Sequence, residues 1–111
     1  MRSFTVAVLS LFLMAGCASS TASAPPAKQA CDVFYDDLRP QFLTDPESPA
    51  MVGAARELAE LAVEVDDERL AGSASGLAEV ALGVAEGTGS FEGLLMMEGV
   101  VRADCQRLGL E

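Results

Sequence analysis

The sequence predicts an all-α fold, a small up-and-down bundle of four helices closed by one disulfide. Three observations predict it. From Cys31 onward, apolar residues recur every three or four positions in four segments separated by turn residues, the period of helices with one buried face. Half of the chain is hydrophobic, yet only 5% is aromatic and Trp is absent, so the core must come from Ala, Leu and Val, a set that suits helices better than sheets. Cys31 opens the first segment and Cys105 lies near the end of the last, and in an up-and-down bundle those ends meet only if the helix number is even. At 111 residues the chain has room for one such domain.

In CDVFYDDLRPQF, residues Cys31, Phe34, Tyr35, Leu38 and Phe42 share one helical face. Pro40 is expected to kink or end this helix, because proline lacks the N–H donor and its ring crowds the preceding turn. The stretch LTDPESPAM offers two N-cap and proline pairs, Asp45 with Pro46 and Ser48 with Pro49. A second helix then runs to about Val65, with Met51, Ala55, Leu58, Leu61, Ala62 and Val65 as its stripe. VEVDDERLAG interrupts that stripe, and Asp66 or Asp67 can cap a third helix, where an acid also suits the positive end of the dipole. The third helix has Leu70, Ala74, Leu77, Ala81 and Val84 on its apolar face, with Val80 beside it. Gly72 and Gly76, one turn apart, are expected to let a neighbouring helix approach closely. GTGSFEG is the clearest turn, and Ser90 caps a fourth helix whose core face reads Phe91, Leu94, Leu95, Met97, Val101, Cys105 and Leu108. Met96 and Met97 are expected as core filler.

Before the bundle the chain has a different character. Arg2 supplies a short positive region, and Phe4 to Met14 is an apolar run of 11 residues. A helix crossing about 30 Å of hydrocarbon needs roughly 20 residues, so this run fits a secretory signal segment and not a membrane span. It stops at LFLMAGC. Ala15, Gly16 and Cys17 resemble the lipobox of bacterial lipoproteins, with Met14 where Leu is usual and Leu13 one place earlier. That resemblance covers the first 17 residues. It implies a signal peptide over 1–16, a diacylglyceryl (palmitate-type) anchor on the Cys17 sulfur, and cleavage before Cys17. Lipidation exploits the thiol as nucleophile, and two or more acyl chains hold a protein stably on a bilayer. The competing reading is an ordinary cleaved signal peptide with an incidental cysteine. ASSTASAPPAKQA follows, with almost nothing large and apolar, so residues 17–30 are expected to be a lipid-bearing flexible tether, and residues 31–111 the folded domain. An O-glycosylated stalk is the alternative for its Ser and Thr residues.

With Cys17 lipidated, Cys31 and Cys105 are left as a pair in an exported, oxidising setting. Four antiparallel helices bring them to one end of the bundle, within the Cα separation of about 4.4–6.8 Å that a bridge requires. Two free buried thiols are the rival arrangement, distinguished by a mass shift of two hydrogens on reduction.

Little in the sequence suggests chemistry. The absence of His removes His-based triads, the carboxylate–His di-iron motif of bundles and most zinc sites. A paired Cys31 and Cys105 leave no thiol nucleophile, and no Gly-rich phosphate loop is present. Asp36 with Asp37, and Glu64 with Asp66, Asp67 and Glu68, read as solvated turn or helix faces; the second group lacks the alternating acids and central Gly of a calcium loop. No catalytic residue, metal ligand or cofactor is therefore expected. With 17 acidic against 7 basic residues, a net charge of −10 disfavours nucleic acid and anionic headgroups as direct partners. The layout of lipobox, Ser/Pro spacer and short acidic helical domain is similar to small lipoproteins of high-GC bacteria. It implies a non-enzymatic protein held on the outer face of a bacterial cell membrane, or on the outer membrane of a Gram-negative cell. Its expected role is that of an interaction or structural module docking an envelope protein, with a carrier of a small apolar ligand or lipid as the alternative.

Overall fold

The computed structural model describes residues 24–111; the expected signal peptide, Cys17 and the tether up to residue 23 lie outside the described residues. The described chain is an up-and-down bundle of four helical rods. The first rod is continuous from α1 (Pro26–Val33) through a π-helical segment (Phe34–Leu38) to α2 (Arg39–Thr44). It is followed by α3 (Pro49–Ala62), α4 (Glu68–Ala85) and α5 (Phe91–Arg107). The first rod packs on α3, α3 on α4 and α4 on α5. The Cys31–Cys105 disulfide, with Cα atoms 6.0 Å apart, joins α5 back to the first rod and closes the ring. The even number of rods therefore brings the two half-cystines together.

Local chemistry sets the boundaries. Of the two candidate caps before α3, Ser48 is used, its hydroxyl accepting from the Met51 amide at 3.2 Å, with Pro49 at the first helical position. Asp67 caps α4 by accepting from the Leu70 amide at 2.9 Å, and Ser90 caps α5 through the Gly93 amide at 2.9 Å. At their other ends, α4 and α5 close in the same way. Gly87 and Gly109 take positive φ, and the next residue's amide reaches back to the carbonyls of Gly83 and Cys105.

Two expectations about the first rod need correction. The helix begins at Pro26, five residues before Cys31, so residues 26–30 belong to the fold and not to the tether. Pro26 has the backbone angle a first helical turn needs. The Gln29 side chain donates to the Ala24 carbonyl at 2.6 Å, Lys28 pairs with Asp32 one turn on, and Ala30 is buried beside the disulfide. Composition alone suggested a spacer, but a half-cystine anchored at Cys31 gives this turn a surface to pack on. Nor does Pro40 end the helix. The wider π turn over Phe34–Leu38, where the Arg39 amide bonds to the Phe34 carbonyl, gives the proline ring room, and the rod runs on to Thr44. It stops at Asp45, whose extended backbone is what the following Pro46 demands.

The core is small and aliphatic. Phe34, Leu38, Met51, Leu58, Leu70 and Leu77 are its large, fully enclosed side chains, filled in by alanines from α3 and α4. The predicted stripes of the first three rods are buried or half-buried. Gly76 accommodates the terminal methyl of Met97, where an added Cβ would stand 3.0 Å away, whereas Gly72 faces open space. The tightest approach lies in the α4–α5 turn, where a Cβ on Gly89 would come within 2.8 Å of the Val84 nitrogen.

Candidate functional site: the two faces of the last helix

The fourth rod departs most from expectation. Leu94, Val101 and Cys105 are buried as predicted and Met97 is half-buried, but Phe91, Leu95 and Met96 are 47%, 45% and 69% exposed. The predicted core role of these three is therefore corrected. In their place α5 turns two carboxylates inward, Glu98 and Asp104, both buried.

Each inward carboxylate has dedicated partners. Arg39 of α2 donates through Nε to Glu98 Oε2 at 2.9 Å, and Arg102 of the next turn lies 3.6 Å from Oε1. Asp104 accepts from the Ser73 hydroxyl of α4 at 2.8 Å and has Arg107 and Arg69 at 3.5 and 3.7 Å. Arg107 also pairs with the α4 cap, Asp67, at 2.7 Å. That guanidinium, together with the Leu70 amide, holds the Asp67 carboxyl below the usual carboxylate range, and the same pairing raises Arg107. Tyr35 stands edge-on to Phe34 with its hydroxyl enclosed and without a hydrogen-bond partner. Burial, and next the Glu111 charge, push its pKa up. These contacts tie α5 to the first rod and to α4. The carboxylates are buried and their arginines reach them from the surface, an arrangement that holds helices together.

The outward face of α5 is the reverse. Leu95, Met96 and Val100 stand in solvent, with Gly99 and Ala103 between them, and Phe91 at the helix start lies 6.1 Å, ring to ring, from Phe42. Exposed apolar side chains grouped on one helix face mark an interaction surface more often than scattered ones do.

Two clefts remain. One, of about 350 Å³ and mostly apolar, is lined by Pro25, Ala27, Asp66, Leu108 and Leu110 where the chain enters the bundle. It opens to solvent at the bundle's end. The other, of about 260 Å³, is polar and has Asp36, Asp37, Gln41 and Glu57 on its walls. Asp36 and Asp37 are exposed, as are Glu64, Asp66 and Glu68, while Asp67 serves as the cap. Among the described residues, no group of three Cys, Asp or Glu side chains is placed to hold a metal ion. No described helix is long and apolar enough to cross a membrane.

Neither Arg39, Glu98 nor Asp104 was singled out by sequence pattern, although a signal exists. Glu98 falls one turn from Leu94 and Val101, and Asp104 one turn from Val101, so both lie on the apolar stripe. A carboxylate at a core register position calls for a cation within reach, and α2 and α4 each bring an arginine from the surface. No protein-family model, no curated protein and no solved structure matches this chain.

Proposed function

We propose that the protein is a bacterial lipoprotein, anchored through acyl chains on Cys17 to the outer face of a cell membrane, whose helical domain is a non-catalytic interaction module. The anchor rests on the lipobox-like Met14-Ala15-Gly16-Cys17 after a short apolar run. The module reading rests on one observation above the others, the exposed apolar face of α5 with Leu95, Met96 and Val100 in solvent. Ion pairs and a disulfide hold that helix rigidly, so the face is presented preformed and little ordering is required on binding. A carrier of a small apolar ligand is the second reading, favoured by the cleft at the chain's entry to the bundle. It ranks lower because that cleft opens at the bundle's end and is not enclosed between helices.

The Cys17→Ala variant tests the anchor. It is expected to lose the lipid mass and to leave the membrane fraction; retention in that fraction would sink the lipoprotein reading. Crosslinking in intact cells, followed by recovery of the anchored chain, tests the module. Recovery of no crosslinked protein, together with a copurified lipid or apolar metabolite, would favour the carrier.

A further inference from the structure

We infer that the seam between the first rod and α5, at the end of the bundle remote from the chain's entry, docks an amphipathic helix of another protein whose apolar face is flanked by Lys and Arg. The inference deepens the interaction-module reading and rests on it, but does not need the lipid anchor.

Packing leaves this seam open. The first rod lies close along α3, α3 along α4 and α4 along α5, whereas α5 meets the first rod far less closely. The seam is spanned by the disulfide toward the entry end, by the Arg39–Glu98 pair at its middle and by the Phe42 and Phe91 rings at the remote end. Leu43 lies one turn beyond Arg39, and so on the side of its helix that faces α5. Leu95 lies one turn beyond Phe91, on the side that faces the first rod. Leu43 is 64% exposed, and with Phe91 and Leu95 it lines the remote part of the seam over the buried Phe42. Met96 and Val100 extend the apolar surface outward along α5. An apolar strip between two helices is the surface on which an amphipathic helix lays its apolar face.

Charge selects the occupant. Residues 40–55 and 70–101, which include both turns at this end, contain no Lys and no Arg. They contain Asp45, Glu47, Glu79, Glu86 and Glu92, all exposed and, among the described residues, none in an ion pair. Glu98 of the same stretch is buried and already held by Arg39 and Arg102. The ion-paired cations, Lys28, Arg39, Arg69, Arg102 and Arg107, sit at the middle of the bundle or toward its entry end. Asp45 and Glu47 follow Leu43 and Glu92 follows Phe91, so free carboxylates accompany both sides of the strip. Carboxylates without a countercharge repel anionic headgroups and an identical acidic chain alike, and their field draws a cationic partner. A helix with aliphatic side chains on one face and Lys or Arg beside them satisfies the strip and the charge together.

The test is photo-crosslinking of the full chain in intact cells, with a benzophenone amino acid at Leu43 or at Leu95. Val63, 86% exposed just after α3 and away from the seam, is the control position. The expected result is the same foreign polypeptide from positions 43 and 95 and not from 63, its linked segment carrying Lys or Arg beside apolar residues at helical spacing. Glu47→Lys with Glu92→Lys, both at exposed positions, should reduce that adduct by more than about tenfold. Retention of the Cys31–Cys105 disulfide and of helical circular dichroism in the variant would show that the fold is intact. A linked segment without basic residues, an undiminished adduct from the intact charge-reversed variant, or an adduct with a second copy of this chain would overturn the cationic helix and leave the interaction-module reading standing. Adducts with lipid alone, or none from either position, would overturn both.

Discussion

Helices α4 and α5 are neighbours of nearly equal length, 18 and 17 residues, and they solve burial in opposite ways. α4 encloses Leu70, Ala74, Leu77 and Ala81 and keeps its carboxylates Glu68 and Glu79 outside. α5 encloses Glu98 and Asp104 and leaves Leu95, Met96 and Val100 outside. α4 is positioned by its own apolar stripe. α5 is positioned by partners supplied from elsewhere: Arg39 from α2, Ser73 and Arg69 from α4, and the disulfide-bonded Cys31 sulfur from α1. The difference teaches that a helix can give up part of its apolar interior, here leaving Leu94, Val101 and Cys105 inside, when covalent and ionic contacts hold it. Its hydrophobic side chains are then free to serve as a surface.

The sharpest way to break this contrast is to remove the disulfide. Cys31→Ala with Cys105→Ala opens a loop of 74 residues and should cost about 4 kcal/mol in the chain-entropy account, read from denaturant unfolding. Hydrogen exchange should then quicken in α5 before α4; equal quickening in both would show that α5 does not depend on the bridge more than its neighbour.

Leucine truncations compare the two helices directly. Leu77→Ala in α4 should cost about 3 kcal/mol through the cavity it leaves, whereas Leu95→Ala in α5 should cost less than about 0.5 kcal/mol. Similar losses at the two sites would mean that Leu95 is enclosed in the protein as it exists in solution.

Next come the ion pairs. Arg39→Met strands the buried Glu98 carboxylate and should cost about 2 kcal/mol, less than for a wholly buried pair because Arg39 is 33% exposed and Arg102 remains nearby. Combining it with Glu98→Leu should recover most of that loss, since an apolar pair can replace a buried ionic one. If the double variant is no more stable than Arg39→Met, Glu98 has another role.

A smaller effect belongs to Asp67, the link between the two helices. Its folded pKa is depressed below the ordinary value of 3.8, so its contribution is present above that pH and is lost as pH falls through the folded value. Asp67→Asn keeps a capping side chain but removes the charge. Thermal melts should show lower stability near neutral pH and a shallower decline in acid below about pH 4. An unchanged acid profile would remove the Arg107 pair from the account.

The smallest effect is expected at Tyr35. Tyr35→Phe deletes an enclosed hydroxyl that has no partner, so stability should be unchanged or rise by up to about 1 kcal/mol. Because the folded Tyr35 pKa is raised, the wild type loses stability as pH climbs above about 10, and the variant should lack that part of the alkaline decline. A clear loss on substitution would reveal a hydrogen bond made in solution.

The sequence by itself determined the helical class, the even number of rods, the pairing of Cys31 with Cys105, and the cap positions before α4 and α5 up to a choice between adjacent acids. The class and the caps follow from local rules, an apolar period and a small side-chain oxygen before a helix, and the pairing follows from the parity of antiparallel rods. Tertiary structure alone decided that residues 26–30 fold, that Pro40 is carried by a π turn, and that α5 presents its hydrophobic residues to solvent. Each depends on a contact between residues far apart in the chain. The bridge at Cys31 holds the first turn, and Arg39 makes Glu98 an interior residue 59 positions away. A periodicity argument assigns the core by hydrophobicity, and it fails where a distant guanidinium supplies what water would otherwise provide to a buried carboxylate.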